Sequence, residues 1–297
     1  MPTMELLEFL SRRTTDPSEK TKLENLSKDY NAYNLWRKGW PGLIDLLKEF
    51  SSIRVDSADL ASRLPILQPR FYSIASSYDY MQANCDAGSI LVDLLVQVVE
   101  HEGPDGAMRK GFCSSFLHDL KEGAEIKCYI NSPQSFQLPK DSLPDIPLIL
   151  IGAGSGISPF RSFWQQKIFE QNKDQSASSS IQLFFGCRNE DSDFLRDETD
   201  LLEGKIMKRY SVFSRKPDHP KEYVQDMVRK HGQDIFTNII LKQGYIFVCG
   251  RISMAHDVNA ELVKIMSKFG KLDPDRSAAL LNRMKDEGRY CEDIFGQ

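Results

Sequence analysis

Apolar positions fall into three textures along the chain. From residue 1 to about 65 they recur three and four apart, in ELLEFL, in DPSEKTKLENLSKDYNAYNLW and in PGLIDLLKEF. That spacing lines one face of a helix. Asp16 before Pro17, with Glu19 three residues after Asp16, is a strong helix start: an acceptor at the cap and a proline where a missing N–H does no harm. Leu43, Ile44, Leu46 and Leu47 add one more apolar face ahead of SSIRVDSADLASRL. From about 66 to 140 the texture is that of strands. FYSIAS, SILVDLLVQVVEH and AEIKCYI are rich in β-branched and aromatic residues and are separated by Gly, Pro and Asp. An antiparallel sheet or barrel is expected there, with KDSLPDIP as a linker. From about 147 onward strands and helices alternate: PLILIG, IQLFFGCR, RYSVFSR and GYIFVCG, each followed by a helical pattern. Four strand-then-helix units imply a doubly wound parallel sheet, because parallel strands need crossover connections. SASSS at 176–180 reads as a loop.

Composition narrows the picture. The 297 residues suit about two domains, and 41% hydrophobic with 27% charged residues is ordinary for a globular chain. A net charge of −4 leaves no cationic surplus to neutralise a phosphate backbone, so nucleic acid is not the expected partner. No apolar run reaches the ~20 residues of a membrane span, and MPTMELLEFLSRR lacks the order of a signal peptide. The six cysteines, at 85, 113, 128, 187, 249 and 291, form no CxxC pair, and the five histidines do not cluster. Reduced thiols in a cytoplasmic protein with no metal site are expected.

Candidate chemistry concentrates at the strand ends. In GAGSGISP, glycines 152, 154 and 156 follow a buried-type strand and Pro159 suits the first turn of the next helix. Backbone N–H groups and the positive helix end can face an anion there, although a ligand-free turn has the same residues. An NAD site would carry an acidic residue at a later strand end. Here the next two strands end in Gly186-Cys187-Arg188 and Ser214-Arg215-Lys216. Cations and a hydroxyl suit a 2′-phosphate, hence NADP. Lys221, Tyr223 and Gln225 add a cation, a ring and an amide. Arg70, Phe71, Tyr72 and Ser73 could meet a phosphate and a flat ligand, or simply begin a strand. In KGFCSSFL, Gly111, Phe112, Cys113 and Ser114 make either an anion site or an ordinary helix cap. Glu292, Asp293 and Phe295 lie where a frayed tail is usual.

LQPRFYSIASS, KGFCSSFL, GAGSGISPFRSFWQQ, FFGCR, SRKPDHPKEYVQD and RMKDEGRYCEDIFG, in this order, resemble the diflavin reductases. FRSFWQQ, the SRKPDHPKEYVQD spacing and EDIFG resemble most the reductase part of nitric oxide synthases. The resemblance implies a ferredoxin–NADP reductase-like fold in three parts. A helical connecting segment (1–65) would lead into an antiparallel FAD-binding barrel, incomplete at its N-terminal side (66–143), and then an NADP-binding domain (144–297). It implies hydride transfer from NADPH to FAD, with electrons passed to FMN on a missing or separate domain and then to a haem protein. Arg70, Phe71, Tyr72 and Ser73 would hold FAD, with Gly111, Phe112, Cys113 and Ser114 around its pyrophosphate. Ser155 and Arg188 would contact the NADPH phosphates, and Ser214, Arg215, Lys221, Tyr223, Gln225 and Asp257 the 2′-phosphorylated adenosine. Phe295 would stack over the flavin, and Ser73, Cys249 and Asp293 would surround the point of hydride transfer.

The chain also departs from the family pattern. Ala153, Ser155 and Ser158 stand where proline, threonine and alanine are more usual, and Arg251 stands where aspartate is. The alternative expectation is a fragment that binds NADP(H) or a partner without turning over. A single-flavin ferredoxin–NADP reductase is disfavoured by the helical segment 1–65.

Overall fold

A computed structural model describes residues 1–84, 88–132, 135–139, 146–174, 180–217 and 220–296. Most of the expected linker KDSLPDIP, most of the SASSS loop, and Cys85 lie outside the described residues. Along the chain come α1 (Met4–Ser11), α2 (Pro17–Lys28), α3 (Tyr30–Arg37), α4 (Leu43–Glu49), α5 (Ser57–Arg63) and α6 (Tyr78–Asn84). After these come β1 (Glu100–Glu102), β2 (Met108–Lys110), α7 (Phe112–Asp119), β3 (Leu148–Ala153), α8 (Ser158–Lys173) and β4 (Ile181–Cys187). The rest is α9 (Arg196–Leu202), β5 (Met207–Phe213), α10 (Val224–Lys230), α11 (Gly232–Phe236), β6 (Tyr245–Arg251), α12 (Ile252–Gly270), α13 (Pro274–Asp286) and β7 (Tyr290–Phe295). The chain divides into two compact units, residues 1–71 with 96–125, and residues 72–95 with 126–297.

In the first unit α2 starts as its sequence directs, with Asp16 accepting from the N–H groups of Ser18 and Glu19. Glu19 does not close a capping box; its Oε2 accepts from the backbone N–H and hydroxyl of Ser52 instead, at 3.0 and 2.6 Å. The long helical pattern through NAYNLW breaks at Asp29, which ends α2 and caps α3 with a single carboxylate. The core is Leu6, Leu7, Leu10, Leu23, Leu26, Tyr33, Leu46, Phe50 and Ile53. β1 and β2 form an antiparallel hairpin with Glu100 opposite Lys110.

The second unit is built on a five-stranded parallel sheet of order β5-β4-β3-β6-β7. Its strands read as continuous apolar runs because both faces are covered. Ile149, Ile151, Phe184, Ile246 and Val248 pack under residues of α10, α12 and α13. Leu148, Leu150, Leu183, Phe185 and Phe247 pack against Phe160, Phe163 and Trp164 of α8. The four expected strands are all present. The terminus, where a frayed tail would be usual, is ordered: Tyr290–Phe295 is a fifth strand in parallel register with β6.

The strand-rich stretch departs from its pattern. Among the described residues FYSIAS and SILVDLLV share one β-bridge, Ile74–Leu94, beside which Ala75 N donates to Asp93 O at 2.8 Å and Asp93 N to the Ser76 hydroxyl at 2.9 Å, and AEIKCYI joins no ladder. Residues 124–130 are exposed along their whole length. Strand-forming side chains become a strand only when a neighbour takes their N–H and C=O groups. Among the described residues no helix is long and apolar enough to cross a membrane.

Candidate functional site

Parallel strands bring their carboxyl ends to one edge, and in the second unit that edge collects the candidate residues. After β3 the chain makes a short 3-10 turn, Gly154–Ile157, before α8. Gly154 has a left-handed φ of 58°, which glycine adopts without strain. A Cβ on Gly156 would lie 2.1 Å from the carbonyl oxygen of Cys249, so only glycine lets the turn press against β6. Pro159 sits in the first turn of α8. The result is a backbone cradle at a helix N-terminus, the shape that accepts a pyrophosphate.

Two strands along, the loops after β4 and β5 are tied by backbone bonds. Ser214 N donates to Cys187 O at 2.9 Å and Arg215 N to Arg188 O at 2.8 Å. Arg188, Ser214 and Arg215 are thereby brought together. Neighbouring cations are already committed, since Arg196 and Lys216 both pair with Glu190. Among the described residues Arg188, Arg215 and Lys221 carry no carboxylate partner. Unpaired cations beside a hydroxyl fit a phosphate monoester. Lys221 Nζ lies 5.4 Å from the Tyr223 ring centroid, and Gln225 Nε2 donates to Asp257 Oδ2 at 3.4 Å. Tyr223 is 43% exposed, leaving a ring face for stacking.

At the other side of the glycine turn the register sets Cys249 opposite Asp293. The Ser73 hydroxyl donates to Asp293 Oδ2 at 2.8 Å, and the Cys249 thiol points at the same oxygen from 3.9 Å. Cys249 is fully buried. Burial, reinforced by the Asp293 charge, pushes its thiol pKa well up, so it stays a neutral, weak donor at physiological pH. Phe295, at the end of β7, is 40% exposed, and its Cα pairs with that of Arg251.

Candidates in the FAD-side motifs divide between the units: Arg70 and Phe71 fall in the first, Tyr72 and Ser73 in the second. Arg70 is exposed and its guanidinium meets the carbonyl of Gln68. In the first unit, Gly111 N donates to Val99 O at 2.7 Å. The Ser114 hydroxyl accepts from Val99 N at 3.1 Å and donates to Gly111 O at 3.2 Å. A Cβ on Gly111 would come within 2.9 Å of both side chains. This tight turn opens α7, with Phe112 exposed and Cys113 half-buried. Among the described residues no group of three His, Cys, Asp or Glu side chains is placed to share a metal ion.

Sequence reasoning missed the polar row on α8. Ser158 Oγ donates to Ser73 O at 2.9 Å, Arg161 Nη1 to Ala75 O at 3.3 Å, and Gln165 Oε1 accepts from Ser77 N at 2.9 Å. Polar residues three and four apart on a helix that otherwise buries aromatic side chains were the available signal.

A parallel sheet with a glycine cradle and cationic strand ends, carried with a second, FAD-type region, defines a flavin- and pyridine-nucleotide-binding oxidoreductase. Residues 1–116 match the FAD binding domain family, and residues 150–260 the oxidoreductase NAD-binding domain family. The inducible nitric oxide synthase of Cavia porcellus is 37% identical over 302 residues, covering 99% of this chain and 25% of its own length. That of Gallus gallus is 35% identical over 302 residues, covering 99% of this chain and 26% of its own. That of Sus scrofa is 37% identical over 303 residues, with 99% and 25% covered. The chain belongs to the diflavin reductase family, on the nitric oxide synthase-like side, and has its ferredoxin–NADP reductase-like fold. It spans about a quarter of the length of the curated relatives it matches.

Proposed function

We propose that this chain transfers hydride from NADPH to FAD and feeds electrons to an FMN carrier and onward to a haem acceptor, within the cytoplasm. Its working parts are a connecting segment (1–65), an FAD-binding part (66–143) and an NADP-binding part (144–297). The observation that carries this reading is the Ser73–Asp293–Cys249 cluster at the carboxyl edge of the NAD-binding sheet. When bound, the two cofactors supply the hydride chemistry themselves. The chain's residues orient, bear charge and exclude water. Asp293 would place a carboxylate beside a bound nicotinamide at the point where hydride leaves it, and Ser73 would keep that carboxylate aimed. The small buried Cys249 leaves room for a close approach of two flat rings. Arg188 and Ser155 take the NADPH phosphates, and Ser214, Arg215, Lys221, Tyr223, Gln225 and Asp257 read its adenosine side. Arg70, Phe71, Tyr72 and Ser73 hold FAD with Gly111, Phe112, Cys113 and Ser114, and Phe295 covers the flavin.

The test starts with the visible spectrum of the purified chain after adding FAD, followed by NADPH-driven ferricyanide reduction. Bound flavin that NADPH bleaches is the expected result. Asp293→Asn should slow hydride transfer about 100-fold, the scale of losing one preorganised charge-stabilising group. Arg215→Gln should weaken NADPH far more than NADH, and equal losses would refute the 2′-phosphate assignment. A second reading, NADP(H) binding without turnover, draws on the exposed, unladdered residues 124–130 of the FAD-side stretch. Failure to hold flavin would favour it.

A further inference from the structure

We propose that Ser158 is a positioning residue for Ser73. With Arg161 and Gln165 it makes α8 a side-chain ladder that holds residues 73–77, so that the Ser73 hydroxyl stays on Asp293. The inference rests on the reading above that Ser73 and Asp293 border the point of hydride transfer.

The geometry runs from helix period to site. On a 3.6-residue repeat, positions 158, 161 and 165 fall within about 60° of one another. Their partners are alternate residues of an extended segment: the carbonyls of Ser73 and Ala75 and the N–H of Ser77. Gln166 Oε1 adds a bond from the Ser77 hydroxyl at 2.6 Å. Arg161 is itself fixed, with Nε on Glu198 and Nη1 on Asp93, both at 2.7 Å, and Trp164 Nε1 holds the other Glu198 oxygen at 2.6 Å. Ser158 and Gln165 are only 4% and 3% exposed, so their polar atoms would be costly to leave unpaired.

Segment 73–77 needs such support because, among the described residues, its strand-type pairing is limited to the bridge Ile74–Leu94, with Ala75 N on Asp93 O at 2.8 Å and the Ser76 hydroxyl accepting from Asp93 N at 2.9 Å, none of which holds the Ser73 carbonyl. A full ladder would fix Ser73 without help; one bridge does not. Ser158 also lies two residues after Gly156, whose backbone presses on the Cys249 carbonyl. One short stretch of chain therefore touches both walls of the cluster, Cys249 through Gly156 and Ser73 through Ser158. Removing the Ser158 hydroxyl frees the Ser73 carbonyl and loosens the hydroxyl that aims Asp293. Alanine in place of Ser158 could not make the bond.

The test is a double-mutant cycle on the FAD-loaded chain, with single-turnover hydride transfer from NADPH read for S158A, S73A and S73A/S158A. S158A should lower the rate about three- to tenfold with KM for NADPH unchanged, the scale of one hydrogen bond lost from the aligned state. In the S73A background the same change should cost nothing further, because Ser158 acts through Ser73. In the chain without nucleotide, S158A should move the backbone amide signals of Ser73 and Ile74 in a ¹⁵N spectrum while leaving those of β4 and β5 in place. Losses that multiply in the double variant, or unmoved Ser73 and Ile74 signals, would overturn the proposal. An S73A variant that transfers hydride at the wild-type rate would overturn the reading of the site itself, and the amide signals would then report separately on the tether.

Discussion

Two apolar runs of similar composition, LILI at 148–151 and ILVDLL at 90–95, meet opposite fates. Leu148, Ile149, Leu150 and Ile151 are each at most 1% exposed, whereas Ile90, Leu91, Val92 and Leu94 range from 41% to 65%. The first run has a hydrogen-bonded neighbour on each side, β4 and β6, and a helical layer on each face. Among the described residues the second has one bridge, flanked by two hydrogen bonds of Asp93 to residues 75 and 76. Apolar pattern states what a segment is able to bury; burial itself depends on the partners that topology delivers.

Core truncation is the strongest way to break that contrast. Leu150→Ala should destabilise the second unit by about 3 kcal/mol, from lost transfer energy plus a cavity. Leu91→Ala, at an exposed position, should cost less than about 0.5 kcal/mol. Denaturant unfolding midpoints check both, and equal losses would show that the 90–95 run is buried in solution.

Glycine substitutions sharpen the comparison at a smaller scale. Gly156→Ala forces a Cβ onto the backbone of Cys249 and should cost about 2 kcal/mol, as overpacking does. Gly123 has open space around its missing Cβ, so Gly123→Ala should cost only the ~1 kcal/mol of its left-handed backbone. The thermal midpoint should fall further for Gly156→Ala.

The smallest effect expected is on pH dependence. Glu261 lies on α12 and its side chain is nearly buried; hydrogen bonds from Arg229, then Lys264, pull its pKa from the ordinary 4.5 to about 2. A lowered folded-state pKa stabilises above the ordinary value, and that stabilisation is lost as pH falls from 4.5 towards about 2. Asp45 in the first unit is likewise held at about 2, chiefly by the hydrogen bond from Arg109. Both units should therefore lose stability on acidification towards about pH 2, the second unit from about 4.5 and the first from about 3.8. Glu261→Gln should flatten that slope in the second unit alone, as read by hydrogen exchange of the β3 and β6 amides at about pH 6 and pH 3.

Much of the fold was legible because periodicity is a local property. Asp16, Pro17 and the i, i+3 spacing specify α2 from a dozen residues, and four apolar runs alternating with helical patterns leave a parallel sheet as the economical arrangement. Strand ends of a parallel sheet share an edge, so Arg188, Ser214 and Arg215 could be placed with the glycine turn from their spacing. The FAD-side strands were less legible. Their residue types were right, but among the described residues their β-pairing amounts to one bridge and one short hairpin.

The sequence by itself determined where helices such as α2 start, that four strands alternate with helices, and that a glycine-rich turn follows β3. The tertiary structure decided that Ser73 meets Asp293 across 220 residues of chain. It also decided that the terminus is a strand beside β6 rather than a tail, and that Ser158 holds the Ser73 carbonyl. The reason is range: backbone sterics and side-chain period act within a turn or two of chain. A contact between distant residues depends on sheet order and register, which the chain fixes only once its layers have closed.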